Sequence, residues 1–182
     1  MQASTSGAER RLIWIGFLTV ATLLATGVFA CAIPFAALAA LAALDTEHND
    51  GPLLVGAVWL ANQVYGFAVL GYPLEAQALG WGLFMGIGAM AGYYAARAAV
   101  TALSPYGIVA MLLGSLLMAF LAYEVALFVA AFVLPRGEGA FNYDVMAYVS
   151  TVEAIAFIVL LIAHRLAVAT GLIGRNAVER AI

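Results

Sequence analysis

LIWIGFLTVATLLATGVFACAIPFAALAALAAL, running from Leu12 to Leu44, is the stretch whose reading decides this fold. It is 33 residues long and broken only by Pro34. A membrane span needs about 20 apolar residues to cross roughly 30 Å of hydrocarbon. The run is therefore too long for one upright span and short for two full ones. It is also longer than the 7–15-residue apolar core of a signal peptide, so it reads as mature structure.

Four further segments have the length and apolarity of spans: Pro52–Leu70, Ala78–Val100, Tyr106–Leu134 and Val145–Val168. The polar breaks between them are Gly71–Glu75, Thr101–Pro105 and Pro135–Asp144. Arginine placement then decides how often the first run crosses, because Lys and Arg collect on the cytoplasmic side. A single crossing puts Arg10, Arg11 and Arg136 inside and the other four arginines outside. Two crossings, turning near Cys31–Pro34, put six of the seven arginines inside and leave only Arg136 outside. The sequence thus predicts an all-α polytopic membrane helix bundle with six spans and both termini cytoplasmic. A tail over 1–11 precedes the bundle over 12–170, and a second tail covers 171–182. The second element, Pro34–Leu44, is only eleven residues, about 16 Å of helix. It must be a half-helix or re-entrant segment sheltered by its neighbours.

Composition points the same way. Of 182 residues, 66% are apolar and 9% charged, with no lysine and a net charge of −3; the mean hydropathy is +1.05. Seventeen charges cannot cover a soluble protein of this size, and average domains carry about a quarter charged residues. Nucleic-acid binding, disorder and an ordinary soluble enzyme are excluded, and the expected solvent is a lipid bilayer.

Small residues mediate helix packing in lipid. Gly82/Gly86 and Gly88/Gly92 are G-x-x-x-G pairs, and Ala21/Ala25 and Ala39/Ala43 are alanine versions. They serve either packing within the bundle or docking of another membrane subunit.

Ionisable groups within spans mark functional candidates. Glu124 lies mid-span and reads as a packing acid or a proton-handling group. Glu153 and His164, eleven residues apart, lie on nearly the same helix face. Arg97 and His164-Arg165 read as interfacial side chains that snorkel. The densest polar cluster is Trp59-Leu60-Ala61-Asn62-Gln63-Val64-Tyr65-Gly66-Phe67, continuing to Gly71-Tyr72-Pro73. Amides beside aromatic rings clasp a planar or ring-bearing solute, or fix the bundle through interhelical hydrogen bonds. Cys31 is the one thiol, a small apolar filler or a weak metal ligand, and His48 is a similarly weak candidate. No phosphate loop, G-x-S-x-G elbow or H-E-x-x-H motif is present. Ser115 and His164 make a poor serine–histidine pair. No catalytic constellation and no cofactor are therefore expected.

With the Ala21-Thr22-Leu23-Leu24-Ala25 stripe and this span pattern, the chain resembles a substrate-binding (S) component of the energy-coupling-factor vitamin transporters. The resemblance is one of architecture and covers the whole chain. It implies a vitamin-uptake component of a bacterial inner membrane, with six helices and cytoplasmic termini. The alanine stripe would dock a transmembrane coupling subunit, and ATPases would be supplied in trans. Cobalamin is the first solute it suggests, since some cobalamin-binding members use a cysteine, and Cys31 is the one available here. It also implies an outward pocket near the outer ends of the bundle. Trp59, Asn62, Gln63, Tyr65, Tyr72, Asn142, Tyr143 and Glu153 are the ligand-binding candidates, with Gly137 and Gly139 in a loop suited to a lid. The competing reading is an accessory membrane subunit that binds partner helices through its Gly/Ala stripes. A third, an enzyme acting on lipid or quinone through Glu124 or Glu153, lacks a second catalytic group.

The six-span topology makes a direct prediction. Epitope tags fused to the two ends should both be cleaved by protease added to inside-out membrane vesicles, and both be protected in intact spheroplasts. Five spans would leave the two tags with opposite accessibility.

Overall fold

The computed structural model describes residues 7–28, 33–45, 50–135, 137, 139 and 141–171. Among these the chain is all-helical: α1 (Gly7–Val28), α2 (Phe35–Asp45), α3 (Asp50–Ala68), α4 (Ala76–Leu103), α5 (Ile108–Val133) and α6 (Tyr143–Ala169). The four later spans expected from the sequence coincide with α3 to α6 within a few residues. The long first run divides, with α1 ending at Val28 and α2 starting at Phe35. Three stretches, Ala76–Tyr106, Ile108–Val133 and Tyr143–Ala169, are long and apolar enough to cross a membrane. In α3 the amides of Asn62 and Gln63 dilute an otherwise apolar 19-residue helix.

Pro34 explains why the first run breaks there. Lacking an N–H, proline cannot continue a preceding helix, while its carbonyl accepts the Leu38 N–H at 3.1 Å and so opens α2. The new helix is apolar all round, FAALAALAAL before Asp45, and such a helix is stable only when enclosed. From Phe35 to Ala42 no residue is more than 1% exposed. Helices α3, α4, α5 and α6 all pack against it. The Ala39/Ala43 stripe is therefore consumed inside the chain, its small side chains letting four neighbours approach.

A buried half-helix leaves unpaired N–H groups at one end and carbonyls at the other. Both ends of α2 are met by polar side chains from other helices. Glu153 of α6 is 2% exposed. Its Oε1 accepts the Ala36 N–H at 3.1 Å and its Oε2 accepts the Ala37 N–H at 2.6 Å. At the other end the Arg97 guanidinium of α4 donates to the Ala43 carbonyl at 3.2 Å. Acceptor oxygens at the N-terminus and a cationic donor at the C-terminus each match the partial charges of the helix ends. Arg97 is thus a helix cap and not the free snorkelling side chain its sequence position suggests.

Helices α4 and α5 form a tight hairpin through the Ser104–Tyr106 3-10 turn and Gly107, which adopts φ +90°. A Cβ at Gly92 would lie 3.0 Å from the Ala119 carbonyl oxygen, and one at Gly88 would lie 2.9 Å from the Tyr123 ring. The Gly88/Gly92 pair therefore sets the α4–α5 separation. Helix α1 packs on α3 and turns Trp14 toward His164 of α6, the ring centroids 5.7 Å apart. His164 is buried there at 5% exposure, so its side chain packs within the bundle and does not snorkel as expected. The tails over 1–6 and 172–182, together with Arg175, Arg180, Arg136, Cys31 and His48, lie outside the described residues, as do the side chains of Arg10, Arg11, Ala21 and Ala25.

Glu153→Leu removes the acceptor of two buried N–H groups, each of which costs about 1–3 kcal/mol when left unpaired. A loss of ~3 kcal/mol or more in detergent unfolding titrations is expected. Glu153→Gln, which keeps one amide oxygen, should lose distinctly less.

Candidate functional site

The site grows from two helix faces. On α3 the spacing i, i+4, i+8 places Trp59, Gln63 and Phe67 along one line, beside the buried stripe of Val58, Asn62 and Gly66. On α4, Gly82 and Gly86 face this line. A Cβ at Gly86 would lie 2.7 Å from the Trp59 indole, and a Cβ at Gly82 would collide with the Gln63 amide. The Gly82/Gly86 pair is thus a recess in α4 that receives two α3 side chains. The Trp59 Nε1–H donates to the Gly82 carbonyl at 2.8 Å, which fixes the indole against α4.

Between the two helices lies a groove of about 530 Å³, within the range of drug-sized ligand sites. Trp59, Gln63, Phe67 and Gly82 form it, with Leu60, Val64, Leu79 and Leu83 at its sides and Leu74 at the α3–α4 turn. Its lining surface is almost wholly apolar: the indole N–H is turned to the Gly82 carbonyl and the Gln63 Nε2 is enclosed. The Gln63 Nε2 is buried and has no hydrogen-bond partner. An unpaired amide in an apolar setting costs several kcal/mol at most and about 1–3 kcal/mol by mutational measures.

The groove's end is shaped by the last turn of α3. The Val69 and Leu70 N–H groups both donate to the Tyr65 carbonyl, the Tyr72 N–H donates to Gly66, and Gly71 takes φ +70°. This reversal lays the Tyr72 ring 2.9 Å from where a Gly66 Cβ would stand, edge-on to Phe67 with centroids 6.4 Å apart. The start of the α5–α6 loop reaches the same end of the bundle. Gln77 Nε2 donates to the Pro135 carbonyl at 3.0 Å, and Trp81 Nε1 donates to the same oxygen at 3.4 Å.

Of the eight ligand-binding candidates, Trp59 and Gln63 line the groove, and Tyr72 packs at its end. Asn62 is buried at 7% exposure on the core stripe, and Tyr65 lies on the opposite flank of that stripe. The i, i+3 pairing of Asn62 with Tyr65 therefore faces away from the groove. The signal that finds the groove is the i, i+4 pair Trp59/Gln63 read together with Gly82/Gly86. Asn142 caps α6, its Oδ1 accepting the Val145 N–H at 2.9 Å and its Nδ2 donating to Gly139. Tyr143 projects outward at 86% exposure. Both carboxylate oxygens of Glu153 are engaged by α2. Ser115 donates to the Leu112 carbonyl of its own helix, and His164 packs on Trp14. Glu124 is half-buried on α5. Among the described residues no group of three or more His, Cys, Asp or Glu is arranged to hold a metal.

No family model matches this chain, and neither does any curated protein or solved structure.

Because the Gln63 Nε2 is buried without a hydrogen-bond partner, Gln63→Leu should leave stability unchanged or raise it by about 1 kcal/mol. Gly82→Leu should lower it by displacing the amide and indole. Thermal unfolding of the two variants in detergent measures both signs.

Proposed function

We propose that this chain is an integral membrane solute-binding component that holds a small, vitamin-like molecule for uptake and works with a separate energising subunit. The observation that carries this reading is the α3–α4 groove, an apolar recess of ligand size where Trp59 and Gln63 meet over the Gly82/Gly86 pair. The chain has no nucleotide-binding motif of its own, so coupling to ATP hydrolysis requires a partner in trans. In this reading the six helices give six crossings of a bacterial inner membrane, with α2 as the short one and both termini cytoplasmic. The groove suits the ring-bearing part of a solute, and cobalamin is the first solute the resemblance suggests.

The accessory-subunit reading draws less support. Both glycine pairs and the Ala39/Ala43 stripe are engaged within the chain, which leaves fewer small-residue faces for a partner.

Protein purified gently into nanodiscs should retain a small molecule near one-to-one, recovered by solvent extraction and mass spectrometry. Trp59→Leu should reduce its occupancy severalfold while the protein stays folded by circular dichroism. Recovery of bulk phospholipid alone, together with no binding across a vitamin panel, would remove the proposal.

A further inference from the structure

We infer that Glu153 is a proton-operated latch on α2. Uptake of one proton turns its carboxyl from the α2 amides toward the Tyr123 and Glu124 side chains of α5, and the half-helix is released. This latch stands apart from the solute-binding role proposed above.

In the latched state each carboxyl oxygen of Glu153 accepts one N–H, from Ala36 and from Ala37. Acceptance at both oxygens is the pattern of an ionised carboxyl, which has no donor. The protonated form carries an O–H that needs an acceptor. The first turn of α2 has none to give it, because a helix N-terminus presents donors.

The acceptors lie on α5. Tyr123 is buried, its ring 5.9 Å from Phe35, the first residue of α2. Tyr123 and Glu124 both stand within electrostatic reach of Glu153. Neither has a hydrogen-bond partner among the described residues. Glu124 shares its flank of α5 with Phe120 and Leu127, which pack on the core. The charged and titratable groups of the other neighbours belong to the far end of α2: Arg97 at Ala43, Tyr93 at Gly51, and Asp50 at the start of α3. His164 is about 16 Å further along α6.

The two acids share a depth. Glu153 lies about 15 Å from the start of α6 at Tyr143, and Glu124 about 14 Å from the end of α5 at Val133. From Tyr143 to Thr151 no residue of α6 is buried, and burial begins at Val152 and Glu153. The cluster thus sits where the unpacked part of α6 meets the closed bundle, open to a proton arriving from the α5–α6 loop end. The step adds one solvent proton to one carboxylate oxygen, and no electron moves. Ala36 and Ala37 then lose their acceptor in an apolar setting. Because α2 packs on α3 and α4 as well as on α5 and α6, its release loosens the whole bundle around it.

Backbone hydrogen exchange reads the latch. The full chain in dodecyl maltoside is exchanged at about pH 8 and about pH 5, with each rate divided by the intrinsic amide rate at that pH. The α2 peptide over 35–44 should exchange about tenfold faster at the lower pH, while the α4–α5 hairpin over 88–119 keeps its protection. Glu153→Gln, which cannot ionise, should exchange alike at both, near the rate of the native chain at the lower pH. With both receiving groups removed, in Tyr123→Phe/Glu124→Leu, α2 should keep most of its protection at the lower pH. Equal α2 exchange of the native chain at the two pH values, or a pH dependence that persists in Glu153→Gln, would overturn the latch. Simultaneous loss of protection in the hairpin would mean general acid unfolding and overturn it as well. A double variant as pH-sensitive as the native chain would overturn Tyr123 and Glu124 as the receiving groups.

Discussion

A carboxylate held between two backbone N–H groups is the constraint around which this bundle is built. An eleven-residue helix buried on every side leaves a large share of its backbone polar groups, about four N–H and four C=O, at its two ends and outside its own ladder. In a soluble protein water meets those groups. Here Glu153 supplies both oxygens to Ala36 and Ala37, and Arg97 reaches the Ala43 carbonyl. These contacts do more than satisfy donors and acceptors. They tie α6 and α4 to opposite ends of α2, so the half-helix fixes how far those two long helices can slide past each other.

The glycines divide the remaining work between two faces of one helix. Gly88 and Gly92 bring α5 against α4, with backbone almost touching backbone at Ala119. Gly82 and Gly86, on another face, do not draw a helix closer; they make room for an indole and an amide. The same motif therefore produces a closed seam on one side of α4 and a groove on the other. The difference lies in the facing residues: Ala119 is small enough for closure, whereas Trp59 and Gln63 prop the helices apart.

The sequence makes the large features of this arrangement legible and hides its long-range contacts. Spans are visible because an apolar run and its polar breaks are local, and Pro34 announces the division of the first run for the same reason. The all-apolar repeat of Phe35–Leu44 indicates a sheltered helix, though not that it lies at the centre. Glu153 is recognisable as costly inside a membrane, but its partner is 116 residues away in the chain, and no spacing rule connects them. Arg97 and His164 look like interfacial residues by position alone; a cap and a ring contact with Trp14 are properties of the assembled bundle. Within the aromatic–amide cluster, the choice between Asn62 and Gln63 turns on one residue of helical phase. That phase is set by the glycines of α4, so the cluster has to be read together with the helix it faces.

The capping of α2 also bears on how the chain is made. Its N–H groups wait for a carboxylate that the ribosome has not yet synthesised when α2 emerges. At about 5–20 residues per second, the intervening 116 residues take roughly 6–23 s to translate. Throughout that interval the half-helix is too short to span and lacks its N-terminal cap, so the insertion machinery or the aqueous interface must hold it. The N-terminal third of the bundle thus becomes integral last, when α6 arrives, and a nascent chain interrupted before Glu153 presents the quality-control proteases with an unburied alanine-rich segment.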